Sequence, residues 1–127
     1  MNRNEIIQYC FSKPAVWDDL PFDDKTLVMK IGNKMFILFG TEEPLRINLK
    51  SDPIISTVLR KKYKSMLPGY HMNKKHWNTV IIDGSIPDDV ICKMIDNSYN
   101  LVLNSLTKSE KDKINKGFKF WEKREKE

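Results

Sequence analysis

With 127 residues, of which 40% are hydrophobic and 31% charged, the chain is sized for one soluble domain that buries its own core without disulfide or metal staples. No apolar run approaches the ~20 residues of a membrane span. The opening MNRNEIIQYCF lacks the basic-then-apolar order of a secretory signal, so a cytoplasmic protein without membrane contact is expected.

NEIIQYCFS (residues 4–12) reads as a first helix, with Asn2 or Asn4 as its cap and Pro14 closing the segment. AVWDDLPFDDKT is loop-like, and Trp17 and Phe22 are expected to fold onto the core. TLVMKI and KMFILFG flank Gly32-Asn33, a strong hairpin signal. In PLRINLK (44–50), Leu45, Ile47 and Leu49 alternate with Arg46, Asn48 and Lys50, the pattern of a half-exposed antiparallel strand with a polar, basic outer face. Asp52-Pro53 opens a second helix. At 100° per residue its inward stripe is Ile55, Val58, Leu59, Tyr63 and Met66; Arg60, Lys61 and Lys64 face outward, and Lys62, on the apolar side, must snorkel or mark a frayed edge.

Residues 66–72 and 78–83 suggest two more strands joined by NKKHW. GSIPDD places Ser85 three positions before Asp88, a capping-box-like start to the longest helix, about 87–106. Ile91, Met94, Ile95, Tyr99, Val102 and Leu106 form its stripe. TKSE (107–110) starts a further short helix, and a charged extension at 117–127 offers Phe118, Phe120 and Trp121 for docking onto the domain at 1–116. The order α-β-β-β-α-β-β-α-α groups its strands. It therefore predicts an α+β fold, an antiparallel sheet with helices packed on one face.

Net charge is +5, unevenly placed: Asp18, Asp19, Asp23 and Asp24 crowd the front, whereas residues 53–82 contain no acid. That acid-free interval carries Arg60, Lys61, Lys62, Lys64, Lys74 and Lys75 with His71 and His76, a one-sign field suited to an anionic partner. A metal site is not expected. Two histidines flanking two lysines fall short of the three or four ligands zinc needs. Cys10 and Cys92 sit alone among apolar neighbours and read as reduced core thiols, not nucleophiles. The chain has no GxGxxG, P-loop or GxSxG, and the paired aspartates suit turns and caps. No enzyme and no cofactor are expected.

Nucleic-acid binding fits better. Arg60, Lys61, Lys64, Lys74 and Lys75 would meet phosphates, while His71, Asn73 and His76 would position them. Lys34, Arg46 and Lys50 would extend the surface. Trp77 reads more readily as a core residue than as a stacking platform. Without a helix rich in Arg, Asn and Gln to read a major groove, sequence specificity is expected to be modest. Two other readings stay open: a protein-interaction or chaperone-like module using the sheet's open face, and a small-ligand pocket around Tyr70, His71 and His76.

Taken together, KMFILFG, PLRINLK, LPGYHMNKKHWNTVIIDG, IPDDVICKMIDNSYNLV and LTKSEK resemble the MmcQ/YjbR family over residues 1–115. The resemblance implies a CyaY-like, secretion-chaperone-like fold in a small bacterial protein, with DNA binding through a "double wing" of β-hairpins. Residues 26–40 and 66–83 would be the wings here. A monomer is expected over an oligomer, with DNA as the partner and a protein partner as the alternative.

Overall fold

The computed structural model describes residues 1–69 and 72–122. Its elements run α1 (Arg3–Phe11), β1 (Val16–Asp19), β2 (Val28–Ile31), β3 (Lys34–Phe39), β4 (Arg46–Lys50), α2 (Pro53–Lys62), β5 (Met66–Pro68), β6 (Trp77–Ile81), α3 (Asp88–Ser105) and α4 (Lys108–Asn115). The strands form one antiparallel sheet in the order β1-β2-β3-β4-β6-β5. The fold is therefore α+β, as the grouping of strands predicts.

Local chemistry accounts for most of the boundaries. Asn2 caps α1 through a reciprocal box with Glu5. Gly32, at φ +60°, takes the first central position of the two-residue β2–β3 turn, where a left-handed backbone is needed. Thr107 caps α4. Gly117 (φ +78°) and Phe118 return their N–H groups to the carbonyls of Ile114 and Lys113, a Schellman stop. Beyond it Phe120 is buried and stacks edge-on against Phe118.

The core lies between the sheet and α1 and α3. Phe36, Ile37, Phe39, Ile47 and Val80 from the sheet meet Ile6 and Cys10 of α1 and Ile91, Ile95 and Val102 of α3. At its centre the β3–β4 ladder stops after Ile37↔Leu49. There the buried Ser98 hydroxyl takes over, donating to the Phe36 carbonyl (2.5 Å) and accepting from the Lys50 N–H (2.8 Å). Helix α1 is clamped to α3 by Lys13, which pairs with Asp96 and lies over the rings of Tyr9 and Tyr99.

Tyr9 also donates to Asp96 at 2.7 Å, which pushes the Tyr9 hydroxyl pKa well up, with burial adding to the shift. Burial works to raise the Asp96 carboxyl, but hydrogen bonds from Lys13 and Tyr9 outweigh it and leave the group below its ordinary value. A depressed carboxylate stabilises the fold above its unfolded pKa, about 3.9, and loses that contribution as pH falls through the folded value. Asp96→Asn should therefore narrow the stability difference between pH 7 and pH 3 in urea titrations; an unchanged difference would refute the assignment.

Several expectations are corrected. Residues 16–19 form an edge strand, not a loop, because they pair along β2 and Lys30 holds Asp19 at 2.8 Å. Trp17 is buried as expected, its indole N–H donating to the Gly32 carbonyl. Phe22 is 63% exposed. Strand β5 ends at Pro68, and Trp77 already belongs to β6. Ser85 does not cap α3: its N–H and hydroxyl go to Asp83, and Pro87 takes the cap position without a side-chain bond.

Helix α2 departs furthest from its expected orientation. Ile54 and Val58 are 77% and 59% exposed, whereas Ser56 is buried and Leu59, Arg60 and Tyr63 are half-buried. Of the expected stripe, Leu59, Tyr63 and Met66 pack on the core while Ile55 and Val58 stay exposed, and the face carrying Ser56 and Arg60 hydrogen-bonds β6. Lys62 lies over the Tyr63 ring, as a snorkelling cation would.

Ala15 holds a left-handed backbone, φ 63°, which costs an L-residue roughly 1–2 kcal/mol. Ala15→Gly should thus stabilise the protein by about 0.5–1 kcal/mol, net of the entropy glycine adds to the unfolded chain. The urea midpoint measures this; a lower midpoint would contradict it.

Candidate nucleic-acid interface

The site begins at the C-terminal end of α2. Asp52 opens this helix by accepting from the Ile54 and Ile55 N–H groups, and Arg60, Lys61 and Lys62 complement its dipole in the last turn. Arg60 reaches across to β6. Its Nε donates to Asn78 Oδ1 (2.7 Å), and its Nη2 donates to the carbonyls of Lys74 (2.7 Å) and Trp77 (3.3 Å). Buried Asn78 in turn donates to Ser56, whose hydroxyl meets that of Ser51 at 2.6 Å. This polar chain fixes the lysine-bearing end of α2 beside the β5–β6 connection.

That connection is held by its own backbone. Asn73 accepts from the Lys75 N–H through its side chain, and through its carbonyl from the His76 and Trp77 N–H groups. The His76 carbonyl accepts from Ser51 N–H. Gly69 sits where the two arms converge, and a Cβ there would lie 3.1 Å from the Trp77 carbonyl oxygen, tighter than an ordinary contact. Lys61, Lys64, Lys74 and Lys75 are all exposed.

Facing away from the helices, the sheet forms a concavity of ≈ 910 Å³. Leu38, Arg46, Asn48, Leu67, Trp77 and Thr79 line its floor and sides, with Phe22, Glu42, Met72 and Asn73 at its margins. Thr79 donates to Asn48 Oδ1 at 2.8 Å. Register puts Lys50 opposite Trp77, at the end of the sheet nearest the lysine loop. The β3–β4 connection carrying Glu42 stands at the opposite end.

Asn73, Lys74, Lys75 and half-buried His76 share the β5–β6 connection, Lys61 and Lys64 are exposed at and just beyond the end of α2 that Arg60 ties to it, and Arg46 lines the open sheet face. Arg60 is among them as the tie that holds helix to loop, its guanidinium turned inward. Lys34 is not: it projects to the helix side and bonds the Ser105 carbonyl and hydroxyl at the end of α3. His71 and Tyr70 lie outside the described residues. Of the two expected wings, the β2–β3 hairpin packs its tip against Leu106 and Glu110.

Trp77 stands on the open face and not in the core, and the concavity itself went unforeseen. Alternation along β4 already put Asn48 outward, and the same rule on β6 would have exposed Thr79. Phe22 carried no such signal.

Burial pushes the Cys10 thiol up to about 12 and raises that of Cys92, which leaves both poor nucleophiles. Among the described residues no group of three or more His, Cys, Asp or Glu is placed to hold a metal ion, and no helix is long and apolar enough to cross a membrane.

The fold and this surface define a small single-sheet α+β protein, helix-covered on one side and carrying on the other a concavity lined at one end by Asn73 and Trp77 of the lysine-bearing β5–β6 segment. The YjbR family model matches residues 11–101, and the chain belongs to that family. It is 32% identical over 112 residues to "Uncharacterized protein YjbR" of Escherichia coli strain K12, covering 87% of this chain and 95% of the relative. It is 40% identical over 98 residues to "Uncharacterized protein YbdF" of Escherichia coli O157:H7, covering 76% and 80%. The crystal structure of Deinococcus radiodurans protein DR2400, described by the domain DUF419, superposes with a TM-score of 0.82 at 37% identity, over 88% of this chain and 86% of that one. A Pseudomonas syringae protein crystal structure gives 0.71 at 30% identity, over 80% and 99%.

Proposed function

We propose that this protein is a non-enzymatic DNA-binding protein that holds its partner mainly through phosphates, with modest sequence specificity. The observation that carries this reading is the Arg60 tie. By bonding the Lys74 and Trp77 carbonyls from α2, it ties the end of the helix that carries Lys61 to the loop that carries Lys74 and Lys75. Lys61, Lys64, Lys74 and Lys75 are exposed, and residues 53–82 contain no acid. Exposed cations grouped this way gain affinity by displacing counterions from a phosphate backbone.

The test is a salt titration of DNA affinity. Lys74→Ala combined with Lys75→Ala should lower the log-log salt slope by about 2 if both contact phosphates. An unchanged slope, or no binding at low salt, would overturn the proposal. A second reading, a protein-interaction module on the open sheet face, is favoured by the inward use of Arg60 and Asn73 to brace the loop. It predicts partner binding that survives the double lysine variant and that varies little with salt.

A further inference from the structure

The sheet concavity is not needed for phosphate contacts, yet it adjoins the lysine surface and combines three kinds of group that a bare phosphate does not use. Trp77 offers an aromatic body on the open face, directly across from Lys50. Leu38 and Leu67 form an apolar floor. Asn48 and Thr79 supply amide and hydroxyl groups in the middle of it, and Arg46 a guanidinium that makes no ion pair among the described residues. We infer that this face seats unpaired bases of a DNA strand whose phosphates follow the exposed lysines next to Asn73 on the β5–β6 connection, so that the protein prefers single-stranded to duplex DNA.

This rests on the phosphate-binding reading above and extends it by naming the form of DNA. A duplex turns its π-faces inward and offers a concave surface only its backbone and base edges. A single strand can turn bases out onto an aromatic while its phosphates track a basic groove, an arrangement that tolerates any sequence. Glu42 is the one acid among the lining residues. It stands at the end of the sheet away from the lysine loop, across the roughly 13 Å length of β4, more than a Debye length at 0.1 M salt. Its repulsion is therefore largely screened where the lysines lie. A neutral peptide would leave these cations unused, and an acidic peptide would leave Trp77 without a stacking partner.

The full chain would be titrated with oligothymidylate, an abasic strand of equal length, a duplex of equal length and a poly-glutamate peptide. Oligothymidylate should bind at least about 5-fold tighter than the abasic strand. Trp77→Ala should weaken oligothymidylate about 5- to 100-fold while leaving abasic and duplex affinity and the salt slope unchanged. Should Trp77→Ala disturb the neighbouring Gly69 contact, Leu38→Asn removes the apolar floor away from it without adding charge and should act in the same direction. Equal affinity for abasic and thymidine strands would overturn the inference while leaving the lysine surface intact. Poly-glutamate binding as tight as oligothymidylate would also overturn it. Loss of all DNA binding would instead strike the underlying function.

Discussion

Arg60→Ala is expected to lower unfolding free energy by about 2–4 kcal/mol, although the residue sits on a surface helix. Hydrogen bonds from a charged group contribute about 1.5–3 kcal/mol, and a buried acceptor left bare costs about 1–3 kcal/mol. Alanine would remove the donor to the side-chain oxygen of Asn78, which is 1% exposed. It would also release the Lys74 carbonyl and remove one of the two donors to the Trp77 carbonyl, which keeps the Gly69 N–H. Arg60→Lys should recover little, because one ammonium cannot reproduce a planar fork that serves three acceptors. Urea denaturation measures the loss, and a change below about 0.5 kcal/mol would show the tie to be incidental. The same variant should weaken DNA binding by loosening the lysine loop, even though Arg60 itself meets no phosphate in the proposed mode.

Ser98→Ala is expected to cost a similar 2–4 kcal/mol. Its hydroxyl substitutes for the ladder bond that β3 and β4 would otherwise make between Phe36 and Lys50. Alanine leaves a donor and an acceptor unpaired in the core, each costing about 1–3 kcal/mol. The methyl fits the same space, so the loss reports hydrogen bonding and not a cavity. Ser98→Cys should not rescue it, since a thiol is a weak donor and a weak acceptor. If Ser98→Ala proved neutral, the two strands must be able to close on each other without the hydroxyl.

Both residues lie where tertiary structure resolves a competition that local pattern leaves undecided. On α2, burying Ile54, Ile55 and Val58 would satisfy the hydrophobic effect, but it would turn Arg60 away from β6 and leave Asn78 unpaired. The fold keeps the polar network and leaves the isoleucines exposed. That outcome commits Arg60 to Asn78 and the Lys74 and Trp77 carbonyls, and it leaves Lys61 and Lys64 exposed.

Short-range chemistry made much of this protein legible in its sequence. Gly32-Asn33 sets the hairpin because glycine accepts the positive φ the turn needs. The 44–50 alternation sets which side of β4 is dry, and the stripe from Ile91 to Val102 buries α3. The caps at Asn2, Asp52 and Thr107 bond donors within three residues. Each signal involves neighbours along the chain, so each can be read without the fold. What only the tertiary structure decided depends on partners far apart in sequence. Strand β1 exists through β2 and the Lys30–Asp19 pair, Lys34 is drawn to Ser105, and Arg60 is drawn to Asn78. The open face became a concavity because strands β3 to β6 set Leu38, Asn48, Thr79 and Leu67 side by side. Those contacts are made by chain closure, which periodicity does not encode.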